Sequence, residues 1–476
     1  MNHPAMHAIL LAAGLLAIGL LLRMRLRLLK WLYIPAAVVA GILGFALAQV
    51  FVNTAFAAQA PGVAAWGQSV LAEWQSWPAT LIAVVFAGLL IERPRNAGSL
   101  ASAARRGLRS GVLAWVIILG QLLIGLGVYA LAVRPVNPDI PPTFGQLLEI
   151  SWAGGHGSAA GMGAIYSAEG FPQGRDLAFF AATVGLIYGV ISGLAFVNLA
   201  IRRGWVGQQK DQKTHDSGSE LAVPQMDPDA APTATPIPPA VAEPLVVAVI
   251  ALAAAVAVGL GLKLAFLAIV GLVVNADDPI IRNQPIDYAD NVPLFLFTLL
   301  GGWIVRRFAE LTGTARYVDA VAIQRLVGVA MEFLIIAGLA TMRMESISQF
   351  GWPLVLMLVL AAAWSAFCLL VLARALLPRA YWFELGLLNY GFSTANTPQG
   401  LMLLRIVDPD LRTRAAADYA IAAPLSAPFI GGGIVTFLVM PLLLNRIGLA
   451  PVMIVVSCIL LALLALGRAL ARSRDE

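Results

Sequence analysis

Apolar residues in this sequence are grouped in blocks of about 20, separated by shorter polar stretches. An α-helix needs about that many apolar residues to cross the hydrocarbon layer of a membrane, whereas a transmembrane β-barrel shows short segments of alternating polarity. The blocks do not alternate, so they predict spanning helices. The predicted segments are 6–22, 31–52, 78–92, 111–133, 177–200, 243–274, 292–308, 327–343, 352–373, 417–443 and 449–468. The segment 243–274 is long enough to be either one tilted helix or two shorter ones.

The composition supports a membrane protein. The 476 residues are 60% hydrophobic and 12% charged, and the mean hydropathy is +0.83. A soluble domain carries about 25% charged residues, so a soluble protein is excluded. The net charge of +5 comes from basic clusters beside apolar blocks, which is typical of topology signals facing anionic lipid. We therefore expect the lipid bilayer, and not nucleic acid, as a partner.

Basic residues also predict the orientation of the chain, because they concentrate on the cytoplasmic side. They follow the first segment between residues 23 and 30, whereas the loop at 275–291 is acidic. This pattern predicts an outside N-terminus and a cytoplasmic C-terminus. Residues 205–242 are polar and Pro-rich, which predicts a disordered cytoplasmic linker between a first membrane repeat, 1–204, and a second, 243–476.

Two segments do not fit a simple count of crossings. Residues 145–170 must enter and leave on the outer face, and residues 384–407 must do so on the cytoplasmic face. Because five crossings precede the linker, the second half starts on the opposite side and the repeat is inverted. Glu149 and Glu384, each at the start of one such segment, echo one another. The predicted fold class is an all-α polytopic membrane protein with two inverted five-helix repeats, each with a re-entrant hairpin, plus an extra C-terminal helix.

The first re-entrant segment is dense in glycine, with five between residues 154 and 163. Each Gly costs about 1 kcal/mol in a helix relative to Ala, and unwound backbone at membrane depth is tolerated only inside protein or beside a water-filled cavity. The pattern predicts a broken hairpin facing ions or solute, and close packing of small residues is the alternative. The candidates for Na⁺ are Gly154 and Gly155, and those for solute are His156, Gly157 and Ser158. His156 is alternatively a structural hydrogen-bond donor.

The second re-entrant segment is polar within an apolar chain, with Pro398 releasing a carbonyl. Released carbonyls suit Na⁺, and helix N-termini suit an anionic group. The candidates for Na⁺ are Ser393 and Ala395, and those for solute are Thr394, Asn396, Thr397 and Gln399. A surface loop is the alternative, because charged residues follow closely.

Four charged residues are candidates for coupling or for holding the charge of the solute: Glu332, Asp176, Asp418 and Arg414. Asp176 and Asp418 start predicted helices, where a carboxylate alternatively stabilises the helix dipole. For Glu332 the alternatives are an interfacial position or an Arg partner, and for Arg414 a cytoplasmic charge. The sequence shows no nucleophile, catalytic dyad or metal cage, so we expect no enzyme activity and no cofactor beyond Na⁺ as coupling ion.

At these motifs the chain resembles the bacterial glutamate:sodium symporter family. The resemblance rests on Gly154-Gly155-His156-Gly157-Ser158-Ala159-Ala160 in the first half and Asn396-Thr397-Pro398 in the second. It implies a design similar to that of the citrate carriers, with a homodimer in the bacterial inner membrane. It also implies Na⁺-coupled symport of glutamate, or of a similar acidic amino acid or dicarboxylate, by an elevator-type movement.

The sequence leaves one rival transporter class open, a cation/proton antiporter on a related inverted-repeat fold. Such a protein needs a buried acidic residue or pair at mid-membrane, and Glu332 and Asp418 come nearest to that. A receptor without transport activity would have no use for two broken polar hairpins.

Overall fold

The computed structural model describes residues 3–31, 34–52, 58–91, 100–206, 243–273, 294–409, 412–426 and 429–472. Every regular element in these ranges is a helix. Eight of the described helices are long and apolar enough to cross a membrane, and two shorter apolar helices accompany them. The chain is therefore a multi-pass membrane protein. Nearly all of the predicted linker, from residue 207 to 242, and the acidic loop lie outside the described residues.

The first part of the chain forms long helices. They are α1 (Pro4–Arg25), the short α2 (Arg27–Trp31), α3 (Ala36–Val52), α4 (Pro61–Leu89) and α5 (Leu100–Val128), which a π-helical turn extends over Tyr129–Val133. The prediction of a span at 78–92 after a loop at 53–77 is wrong, since α4 begins at Pro61. Proline suits the first turn of a helix, where its missing N–H costs nothing. The polar residues of 61–77 interrupt the apolar block without ending the helix.

The first glycine-rich segment lies between α5 and the long helix that follows it. A 3₁₀ turn (Pro142–Gln146) leads into α6 (Leu147–Trp152), α7 (Gly155–Ala168) and α8 (Gln173–Arg203). The unwound stretch is limited to Ala153 and Gly154. Gly155 begins α7 with φ +65°, and the glycines at 157, 161 and 163 are helical and face neighbouring side chains, as the packing alternative predicts.

The second half contains the remaining helices. They are α9 (Pro244–Val273), α10 (Leu294–Leu311), α11 (Ala320–Ala340), α12 (Met344–Gln349), α13 (Gly351–Phe367), α14 (Arg374–Leu376), α15 (Trp382–Thr394), α16 (Thr397–Val407), α17 (Ala415–Ser426), α18 (Met440–Arg446) and α19 (Leu449–Arg472). The long apolar block at 243–274 is a single helix. A π-helical turn, Cys368–Ala373, follows α13 just as one follows α5. The extra C-terminal helix is present as α19.

The prediction of a continuous helix over 417–443 is wrong. Helix α17 ends at Ser426, and the chain bends over residues 430–433 before it becomes helical again at Ile434. Gly431 and Gly432 have φ values of +64° and +101°, in a region where an L side chain is strained. The glycines thus break the helix inside an apolar block.

The helices pack in two groups. The frame group consists of α1, α3, α4, α9, α10 and α11, and the site group of α5 to α8, α13 and α15 to α19. Helices α7 and α8 of the site group face α4, α10 and α11 of the frame group. Glycines admit aromatic rings at this boundary, with Phe295 against Gly161 and Phe179 against Gly338.

Candidate functional site

Three interruptions of helices converge within the site group, and we call this place the junction. The first break lies between α6 and α7, the second between α15 and α16 at Ala395 and Asn396, and the third at residues 429–433. Gly155 has φ +65°, and a Cβ added there would lie 2.6 Å from the carbonyl oxygen of Ala395. A Cβ added to Gly432 would overlap the Ser158 hydroxyl. The first break therefore contacts both of the others.

The second break is shaped by a helix cap. Asn396 has an extended backbone, and its side-chain oxygen accepts a hydrogen bond from the Gln399 N–H at 2.9 Å. This satisfies one of the N–H groups that an N-terminus leaves without a partner. The Thr397 hydroxyl lies 3.1 Å from that of Tyr419, which ties the start of α16 to α17. The surface-loop alternative does not fit the residues around the break, because Ser393, Thr394 and Gln399 are buried, whereas Asn396 itself is exposed.

Helix α8 supports the second break through a row of glycines. A Cβ added to Gly185 would lie 2.6 Å from the Thr394 carbonyl oxygen, and one added to Gly189 would overlap the side chains of Thr394 and Gln399. Gly193 faces Leu403 of α16 in the same way. Glycines spaced four residues apart on a helix suit either an internal contact or a dimer seam. The structure shows that it is an internal contact.

The candidates on α7 have different neighbours. The His156 Nε2 lies 3.0 Å from the Thr183 hydroxyl, which donates to the Phe179 carbonyl. Since that hydroxyl hydrogen is committed, Nε2 donates to Thr183 and Nδ1 is left as an acceptor. Gly157 faces Ile82 and Met331 of the frame group, so the position serves packing.

The structure does not bring the four charged candidates into the junction. Asp176 is held by Arg343 and by the Ser346 hydroxyl, with distances of 3.1 and 2.8 Å to its Oδ2. Asp418 accepts a hydrogen bond from the Tyr381 hydroxyl at 2.6 Å. Glu332 accepts one from the backbone of α3 in the frame group, and the side chain of Arg414 is exposed.

Sequence reasoning missed a carboxylate that does lie at the junction. Glu149 is 2% exposed, and its Oε1 accepts hydrogen bonds from the Gly431 N–H at 3.0 Å and the Thr436 hydroxyl at 2.5 Å. The Gln146 amide donates to the Thr436 carbonyl at 2.9 Å. The signal available in the sequence was a single acidic residue inside an apolar stretch that precedes the glycine-rich segment.

Most of the polar groups of the junction offer oxygen atoms. Its acceptors are backbone carbonyls, hydroxyls, amides and the Glu149 carboxylate, and oxygen is the ligand atom that hard cations prefer. Among the described residues, no three His, Cys, Asp or Glu side chains are grouped as a metal cage. Fold and junction together define a helical membrane protein with broken helices in its interior, a design of secondary transporters.

A comparison with protein families assigns the chain more narrowly. A family model described as sodium/glutamate symporter matches residues 111–407, more than half of the chain. The protein belongs to this family, which confirms the resemblance seen at the sequence motifs and makes it a transporter and not an enzyme. The match includes the first and second breaks but ends before the third. Neither a curated protein nor a solved structure matches the chain significantly.

Proposed function

We propose that this protein carries glutamate, or a similar acidic amino acid or dicarboxylate, together with Na⁺, and that both bind at the junction. The observation that carries the proposal is the contact of the first and second breaks, at Gly155 and Ala395, inside the part of the chain matched by the symporter family. The family assignment favours symport over the cation/proton antiport that the sequence left open.

The chemistry of the junction supports both ligands. Helices α7 and α16 begin there, and the N-terminus of a helix attracts an anionic group such as a carboxylate. The Ala395 carbonyl and the Ser158 hydroxyl supply oxygen atoms for Na⁺. In the proposed coupling, Na⁺ binds more tightly to the arrangement in which the breaks meet and shifts the population toward the state that binds solute.

The two groups of helices support an elevator-type movement. The frame group contains α1, α3 and α4 of the first half and α9, α10 and α11 of the second, as expected for two inverted repeats. Its boundary with the site group is formed largely by apolar side chains and glycines, which make few directional bonds that sliding would break. In the proposed movement the site group carries the junction past the frame group.

We also propose an orientation in the membrane and an oligomeric state. The basic clusters support an outside N-terminus and a cytoplasmic linker and C-terminus in a bacterial inner membrane. The family resemblance supports a homodimer.

Uptake into proteoliposomes tests the proposal. Labelled glutamate should accumulate with an inward Na⁺ gradient, and equal uptake with K⁺ in place of Na⁺ would refute the coupling ion. In the same assay, Gly155→Ala should reduce the initial rate by about tenfold, because an L residue at positive φ costs about 1–2 kcal/mol and its Cβ meets Ala395.

Gly170→Ala is the matched control for the Gly155 variant. Gly170 has φ +75° with no atom within 4 Å of an added Cβ, so the substitution carries the backbone strain without the contact. We expect its uptake to remain close to that of the wild type. If the two variants behave alike, the contact of the breaks is not part of the solute site.

A further inference from the structure

A second set of contacts joins the third break to the turn and helix that precede the first break. Gln146 and Glu149 lie about one helical turn apart, and each reaches the segment 431–436 with one end of its side chain. The Gln146 Nε2 must face Thr436 because the carbonyl there accepts and cannot donate. The other two oxygens, Gln146 Oε1 and Glu149 Oε2, are buried and have no hydrogen-bond partner among the described residues.

Two buried oxygens without partners indicate a missing ligand. Buried polar groups are hydrogen-bonded as a rule, and a buried carboxylate needs a positive partner to offset the loss of its hydration. Glu149 makes no ion pair within the described part of the chain, and both side chains are at least 98% buried. A positively charged ligand with a preference for oxygen would satisfy both groups.

We propose that Gln146 Oε1 and Glu149 Oε2 bind Na⁺ beside the third break, at a site distinct from the contact of the first and second breaks. The inference rests on the proposed function and adds a coupling site to it. A cation bound there neutralises the Glu149 carboxylate while its other oxygen keeps the hydrogen bonds from Gly431 and Thr436. The bound cation thereby fixes α6 against the third break. Since Gly432 of that break lies against Ser158 of α7, occupancy of the cation site is transmitted to the start of α7, where the first and second breaks meet.

The charge of Glu149 can be removed while its shape is kept. In Glu149→Gln an amide oxygen still accepts from Gly431 and Thr436, and the amide nitrogen takes the place of the free oxygen. We expect the purified variant to bind one radiolabelled Na⁺ fewer per protomer. The Na⁺ concentration for half-maximal glutamate uptake should rise by about tenfold or more, as expected when a group that supports a metal site is changed.

Two further variants keep the test decisive. Gln146→Met removes the neutral oxygen, and with it the amide donor to the Thr436 carbonyl, but it keeps the Glu149 charge. It should therefore raise the half-maximal Na⁺ concentration. Glu169→Gln alters a carboxylate that accepts hydrogen bonds from Thr143 and Asn445 outside the junction. We expect it to keep the wild-type Na⁺ stoichiometry.

The outcomes separate this inference from the proposed function. Wild-type Na⁺ binding and Na⁺ dependence in both Glu149→Gln and Gln146→Met, in a protein that transports glutamate with Na⁺, would overturn the cation site alone. Uptake by the wild type that ignores Na⁺ would overturn the proposed function. If Glu149→Gln keeps its Na⁺ response but uptake loses its dependence on pH, Glu149 carries a proton and the Na⁺ site is refuted.

Discussion

Asp176 shows how a buried charge in a transporter can be structural. Its carboxylate is 3% exposed at the start of α8, and Arg343 and Ser346 beside α12 hold it. Arg343→Ala should remove the cation that donates to the carboxylate, leaving Ser346 and the more distant Arg175, whose Nε lies 3.9 Å from Oδ1. The free energy of unfolding should fall by about 1.5–3 kcal/mol, the range for a hydrogen bond to a charged group. Thermal unfolding of the purified protein measures this loss. The Michaelis constant for glutamate should stay unchanged.

Arg307 provides the comparison for Arg343. Its side chain is 58% exposed, against 59% for Arg343, and it pairs with Glu310 on the surface of α10. An exposed pair contributes about 0–1 kcal/mol, so Arg307→Ala should change the melting temperature less. A Michaelis constant that rises in the Arg343 variant alone would instead place Asp176 in the solute site.

At the residue scale, the sequence indicated which residues break the helices better than it indicated which charged residues lie at the junction. Gly155 and Asn396 were found because glycine density and a cap-like polar cluster indicate broken helices. Glu149 was missed because its partners, Gly431 and Thr436, lie more than 280 residues further along the chain. No periodicity connects residues so distant, and the more obvious charges at Asp176 and Asp418 make structural contacts outside the junction.

At the scale of elements, the glycine row on α8 should be sensitive to single methyl groups. Gly189→Ala places a Cβ against Thr394 and Gln399, and either the second break must shift or α8 must move away. Overpacking of this kind costs about 1–3 kcal/mol, so we expect a loss of glutamate uptake of about fivefold or more. Uptake by equal amounts of reconstituted protein measures it.

Gly261 on α9 is the control for that substitution. An added Cβ there meets no atom within 4 Å, and alanine is preferred to glycine inside a helix by about 1 kcal/mol. Gly261→Ala should therefore transport normally and unfold at an equal or higher temperature. Normal uptake by Gly189→Ala as well would show that the second break tolerates displacement.

The all-helical class of the protein was predictable, but the interruptions of its helices were predictable only in part. Apolar blocks predict α5, α8, α9 and α19, because a helix that crosses the membrane is surrounded by lipid or protein along its length and needs apolar side chains throughout. The third break escaped detection because it is made of glycines within an apolar block, and a block of that composition also fits a closely packed helix. The early start of α4 escaped because polar residues face outward on a helix as readily as in a loop.

At the scale of the whole molecule, Arg175 links the two groups of helices at one end. Its guanidinium lies 2.6 Å from the Thr341 hydroxyl and 3.5 Å from the Gln75 carbonyl oxygen, so it joins α8 of the site group to the middle of α4 and the C-terminal end of α11 in the frame group. An elevator-type movement must break these contacts in each cycle. A covalent link at this place should stop transport without removing the solute site.

A reducible thiol cross-linker applied to Arg175→Cys with Thr341→Cys tests this, in a background carrying Cys458→Ser because Cys458 is exposed. We expect uptake to fall by at least about tenfold on cross-linking and to return on reduction, whereas Na⁺-dependent glutamate binding should remain. The control pair, Glu169→Cys with Asn445→Cys, replaces two hydrogen-bonded side chains within the site group, so its cross-link should leave uptake intact. Because an elevator moves one rigid group past another, full uptake in a completely cross-linked Arg175 and Thr341 pair would mean that the two groups travel together and that access to the junction alternates by a local movement of the hairpins.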